Sequence, residues 1–177
     1  MRKRIFLSLL LSAVGLVAGE NAGRRAPGFA LPDSDLKLHD LADYRGKVIL
    51  LEFMQTDCDH CAALVPVLAA VQQKYGDKVA ILAVANGQHD DSNKVRQYIA
   101  GHKIAYPVLF DQGQMEYSYI LKFSADNPYL FLIDPKGVIR NDWGYSPFTK
   151  DIFEGKGLFN EIDRVLSAGA PAPPKKK

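Results

Sequence analysis

Apolar positions change period several times along the chain, and each change marks an element. Val48 to Met54 (V-I-L-L-E-F-M) is a near-continuous apolar run of branched and aromatic residues. Such a run predicts a strand buried on both faces, as in a parallel sheet. Glu52 is the single acid inside it. From His60 to Tyr75 the period lengthens, and Ala62, Ala63, Leu64, Val67, Leu68 and Val71 mark one face of a helix. Pro66 falls within that helix, where it removes a hydrogen bond and should kink the axis. Val79 to Val84 predicts a second buried strand, and Asp90, Asp91 and Ser92 offer N-caps for a helix running to about Gly101. Tyr106 to Phe110 reads as a short strand and Gln114 to Phe123 as a helix. Tyr129 to Ile133 and Val138 to Trp143 flank the turn Asp134-Pro135-Lys136-Gly137, which makes them an antiparallel hairpin. A last helix spans roughly Leu158 to Leu166.

This order predicts an α/β fold with a mixed central sheet, helices on both faces, and a closing C-terminal antiparallel hairpin. It also puts two cysteines, Cys58 and Cys61, between the Val48–Met54 strand and the helix after it. Open α/β sheets carry their sites at that end of a strand.

The two ends stand apart from this pattern. A basic stretch (Met1 to Arg4) precedes an uncharged apolar run from Ile5 to Ala18, and small residues follow to Gly19. That is the layout of a secretory signal peptide or an N-terminal anchor over residues 1–19. The apolar run is shorter than the ~20 residues a spanning helix needs, and no Cys follows it for lipidation. Residues 20–25 then read as a linker, 26–167 as one domain, and 168–177 (A-G-A-P-A-P-P-K-K-K from Ala168) as a disordered Pro/Lys tail. The expected location is extracytoplasmic or periplasmic. Much of the small net charge of +2 comes from lysines and arginines at the termini, without interleaved aromatics, so nucleic acid is not an expected partner.

Export changes how the cysteines read. A disulfide across two residues closes a tiny loop and stabilises little, since loop-closure stabilisation grows with loop length. Such a pair suits a bond that is made and broken. A helix N-terminus presents free N–H groups and partial positive charge, which favour a thiolate, the attacking species in disulfide exchange. Cys58, nearer the loop, is the expected nucleophile, and Cys61 the resolving thiol. Zinc would need two further ligands, and His39, His89 and His102 are scattered without ligand spacing. No metal or organic cofactor is expected.

Several landmarks resemble the thioredoxin-like superfamily, in its exported TlpA/ResA-type branch, which is related to the AhpC/TSA redoxins. They are the entry segment A-P-G-F-A-L-P (Ala26 to Pro32), L-A-D-Y-R-G-K-V-I-L-L-E-F (Leu41 to Phe53), the C-x-x-C motif, Pro66, and Asn127-Pro128 ahead of a strand. The resemblance implies a thioredoxin-like fold and thiol–disulfide exchange with protein thiols and disulfides, with a membrane electron donor or acceptor. It implies a cis peptide bond before Pro128, with the backbone at Asn127 and Pro128 docking the substrate chain beside Asp59. It places Glu52 where thioredoxins carry a buried acid, able to accept and return the proton of Cys61 if desolvation raises its pKa. An alternative for Glu52 is an edge position with its head in water. His60 stands where strongly oxidising relatives carry a thiolate-stabilising histidine. Asp57 and Asp59 oppose it across Cys58, so the motif leaves the direction of electron flow open.

Departures from the family pattern bear on the task. Asp57 replaces the usual Trp, Leu64 the acid some ResA-like reductases carry, and Asp59-His60 the dipeptide with Pro. A peroxiredoxin-like peroxidase is one alternative, but Thr56 stands two residues before Cys58 rather than three. A copper-binding assembly factor is another, but it calls for a three-residue gap and a distant His. A non-catalytic binding module would not need the intact pair. The oligomeric state and the role of the stretch from Trp143 to Gly157 are not legible.

Overall fold

A computed structural model describes residues 19–120 and 127–169. The expected signal segment up to residue 18, the end of the expected Gln114–Phe123 helix and the tail from residue 170 lie outside the described residues.

The strand expected at Val48–Met54 is β3, and all seven of its residues are buried. Two short strands precede it, β1 (Ala30–Pro32) and β2 (Leu38–Asp40), paired antiparallel to each other. After it come α1 (Asp59–Tyr75), β4 (Val79–Asn86), α2 (Ser92–His102), β5 (Val108–Asp111) and α3 (Gln114–Ile120). The chain closes with β6 (Tyr129–Ile133), β7 (Ile139–Gly144), α4 (Lys150–Phe153) and α5 (Lys156–Gly169). The main sheet has five strands in the order β5-β4-β3-β6-β7. β3, β4 and β5 run parallel, while β6 and β7 form the antiparallel hairpin.

β3 sits at the centre because both of its faces are apolar. Val48, Leu50 and Met54 pack with Leu64, Val65, Leu68 and Val71 of α1 and with Leu158, Ile162 and Val165 of α5. Ile49, Leu51 and Phe53 face the other way, onto Leu41, Met115, Tyr119 and Phe131. The period-two alternation of one strand thus supplies two cores. The hairpin turn is pinned by Asp134, whose Oδ1 accepts the backbone N–H groups of Lys136 and Val138 at 2.9 Å each. Gly137 takes the positive φ that such a turn requires.

Two expectations shift. β5 begins at Val108 rather than Tyr106, since Pro107 has no N–H to give the ladder and only lends its carbonyl to the N–H of Ala83. Residues 20–25, expected as a linker, are packed onto the domain. Asn21 gives its backbone N–H and side-chain amide to the buried carboxylate of Asp142 at 2.9 and 3.0 Å. Gly19 donates to Asn141 Oδ1 and lies so close to Asp142 that a Cβ there would overlap it. Farther on, Arg25 bridges Val138 at the start of the hairpin's second strand, and Asp33 bridges Leu109 on β5.

Candidate active site

β3 ends at Met54, and the next residues turn at once into α1. Thr56 fixes this turn from below, its N–H and hydroxyl donating to the two carboxylate oxygens of the buried Asp90 at 3.0 and 2.5 Å. Cys58 is then the N-cap of α1, in extended conformation, and its Sγ accepts the backbone N–H of Cys61 at 3.1 Å. The two cysteines are joined in a disulfide with their Cα atoms 5.2 Å apart. Cys61 is fully buried and Cys58 half-buried, so only the first sulfur is open to an incoming chain. A cap position normally goes to an oxygen that satisfies one of the helix's free N–H groups. Here sulfur holds that place, and the same N–H group would stabilise negative charge on it.

The peptide bond between Asn127 and Pro128 is cis, as the resemblance implied. The register of β6 against β3 pairs Tyr129 with Phe53, which sets the buried Pro128 at the sheet end where β3 runs out toward Cys58. Tyr145, one residue past β7, gives its backbone N–H to the carbonyl of Pro128 at 3.1 Å. Its ring stacks on His60, with centroids 3.7 Å apart and planes 19° from parallel. His60, Asp59 and Asp57 are all exposed. The structure thus gathers Cys58, Cys61, His60 and Pro128 at one end of the sheet, with Asp59 on the rim and Asn127 half-buried beside Pro128.

Glu52 lies deeper. It is 2% exposed, flanked by Ala83 on β4 and Leu130 on β6, on the same strand face as Leu50 and Met54. That face is covered by α1, the helix carrying Cys61. Burial pushes the Glu52 carboxyl up to about 8. The strand is central, so the solvent-reaching edge position does not apply. Two buried phenols share this neighbourhood, Tyr98 on α2 and Tyr106 before β5. Their hydroxyls have no hydrogen-bond partner among the described residues, and burial together with the charge of Glu52 drives both pKa values up.

Sequence reasoning did not pick out Asp90, Tyr98, Tyr106 or Tyr145 as parts of the site. Asp90 was visible only as one of three possible helix caps, and Asp91 took that task. The tyrosines fit ordinary apolar positions, and nothing local distinguishes them. Among the described residues no three His, Cys, Asp or Glu side chains gather to hold a metal ion.

Comparison with known proteins agrees with this geometry. The profile of the AhpC/TSA family matches residues 22–142. The thiol-disulfide oxidoreductase ResA of Geobacillus thermodenitrificans is 32% identical over 151 residues, covering 78% of this chain and 83% of that protein. The thioredoxin-like protein YneN of Bacillus subtilis is 31% identical over 124 residues, 70% of this chain and 71% of the relative. Among solved structures, a candidate thiol:disulfide interchange protein DsbE from Chlorobium tepidum superposes with a TM-score of 0.66 at 29% identity, covering 78% of this chain and 96% of that one.

Proposed function

The chain belongs to the AhpC/TSA family and is a thiol–disulfide oxidoreductase of the thioredoxin-like, ResA type, and from that premise we propose how its residues divide the reaction. Cys58, as the thiolate, attacks a disulfide of a protein substrate. One substrate sulfur leaves as a thiolate, and a mixed disulfide forms. Cys61 loses its proton and attacks the Cys58 sulfur, the second substrate thiolate leaves, and the Cys58–Cys61 disulfide closes. Two electrons pass to the substrate, and the reverse sequence oxidises a dithiol. The observation that carries this reading is the cap geometry, with Cys58 Sγ at the helix N-terminus accepting the Cys61 N–H at 3.1 Å.

Glu52 takes and returns the Cys61 proton, directly or through water. Its carboxyl, pushed up to about 8, is close to the ~8.5 of an ordinary thiol, which suits proton transfer between them. His60 stabilises the Cys58 thiolate, Pro128 positions the substrate strand, and Asn127 and Asp59 flank it. The basic–apolar–small layout of residues 1–19 supports export, either by cleavage or as an anchor, with a membrane donor or acceptor resetting the pair. The catalytic unit is taken as residues 26–167, with the stretch from Glu20 to Arg25 packed against it as a lead-in.

The test is a pair of variants. Cys58→Ser abolishes insulin reduction, while Cys61→Ser accumulates mixed disulfides visible on non-reducing gels. Full activity in Cys58→Ser would overturn the mechanism. The equilibrium with glutathione then assigns direction: a potential near roughly −270 mV marks a reductase and one near about −120 mV a disulfide donor.

A further inference from the structure

We propose that Tyr145 is a positioning residue for exchange, its ring holding the His60 imidazole while its backbone holds the cis-proline segment. The inference rests on the exchange reading above and adds to it a residue outside the motif. His60 lies within the C-x-x-C loop, on the exposed first turn of α1. An exposed side chain there would ordinarily sample several rotamers. Stacking on Tyr145 at 3.7 Å and 19° selects one.

The Tyr145 ring is itself braced. Phe153 of α4, buried in the core, meets it edge-on at 5.4 Å and 65°. The stretch beyond is tied to β7, since Thr149 Oγ1 donates to the carbonyl of Gly144 at 2.8 Å and accepts the N–H of Ser146 at 2.9 Å. Meanwhile the Tyr145 N–H bonds Pro128 O at 3.1 Å, extending the β6–β7 pairing by one step. One residue therefore spans the two chain segments between which a substrate strand must fit. A histidine held in one place delivers its charge, when protonated, to a fixed point beside the cysteines and so favours the reduced, thiolate-bearing form. A mobile one divides that effect among positions.

The experiment measures the equilibrium constant of the full-length protein with glutathione and the steady-state kinetics of insulin reduction. Tyr145→Leu removes the ring and is expected to shift the equilibrium about threefold toward the protein disulfide, about 15 mV for this couple. It should also raise KM for insulin several-fold with kcat changed less than twofold. Tyr145→Phe keeps the ring and should match the wild type in both. In a His60→Ala background the Tyr145→Leu shift in potential should vanish, which a merely structural role would not produce. His60→Phe, a change on an exposed turn, keeps the stack without the charge, so the potential falls while KM stays. This arm tests the proposal even where Tyr145→Leu does not fold. Phe148, 96% exposed on the same loop, provides the control, and Phe148→Ala should leave the potential unmoved. An active enzyme whose potential and KM ignore Tyr145→Leu, or whose shift persists in full in His60→Ala, overturns this proposal alone. A His60→Phe variant with the wild-type potential overturns it too. Wild-type protein that fails to exchange with insulin overturns the function reading beneath it.

Discussion

The two faces of the sheet treat buried polar groups differently. On the face covered by α3 and the lead-in, such groups are matched. Tyr119 donates its hydroxyl to Pro27 O at 2.6 Å, and Tyr129 donates to Asp142 at 2.6 Å. His39 sits between Tyr44 and Asp33 at 2.5 and 2.7 Å. Among the described residues the one exception on this face is Arg24 Nε, though that guanidinium still bonds the carbonyl of Tyr119. On the face covered by α1, Tyr98 and Tyr106 bury unmatched hydroxyls around a carboxyl whose pKa burial has raised. A buried polar group without a partner is destabilising, so natural folds keep few of them. Their concentration behind the cysteine pair fits the role proposed for Glu52 in moving the Cys61 proton, while the opposite face serves to hold the domain.

The largest test of this contrast is Glu52→Gln. The folded-state pKa of Glu52, about 8, lies above the 4.5 of a free glutamate side chain. Its stabilising contribution is therefore complete below pH 4.5 and is lost as pH rises through 8, a total on the order of 5 kcal/mol. Urea titrations across that window should show the wild type losing this component and the Gln variant, always neutral, lacking the slope. Insulin reduction should slow in the same variant, because the Cys61 proton loses its proposed acceptor. A wild-type pH profile identical to that of Glu52→Gln would place the carboxyl in water and end the contrast.

Smaller effects sharpen it. Tyr119→Phe leaves a carbonyl on the holding face without its donor, and should cost about 1–2 kcal/mol in denaturant unfolding while exchange stays unchanged. Tyr106→Phe removes a buried hydroxyl that has no partner to lose, and should stabilise the fold by about 1 kcal/mol. Equal losses in the two variants would mean that the Tyr106 hydroxyl is satisfied after all, and that the faces do not differ.

Much of this was legible before any coordinates. The apolar run Val48–Met54 announced a central strand, the change of period after His60 announced α1, and the paired cysteines between them announced the chemistry. The cis bond at Pro128 needed the family resemblance, since an isolated X–Pro pair favours trans. Other features depend on partners distant in the chain. Residues 20–25 are polar and aperiodic, and partners far along the chain, Tyr119, Val138, Ile139 and Asp142 among them, explain why they are ordered. Glu52 was recognisable as out of place, but its burial follows from neighbours on both β4 and β6. Tyr145 carried no signal because ring stacking has no spacing rule across so long a separation. The start of β5 was readable in principle, for Pro107 is in plain view.

The bridges made by Arg25 and Asp33 have a consequence for how the chain comes to be folded. β7 and β5 are the two outer strands of the sheet, and one continuous stretch reaches both. A ribosome makes that stretch early and its partners Val138 and Leu109 much later, so it waits without a place to pair. Contacts between residues so far apart in sequence form slowly, so both outer strands acquire these contacts late in folding. Once made, they occupy part of each outer strand's edge, where a second copy could otherwise pair.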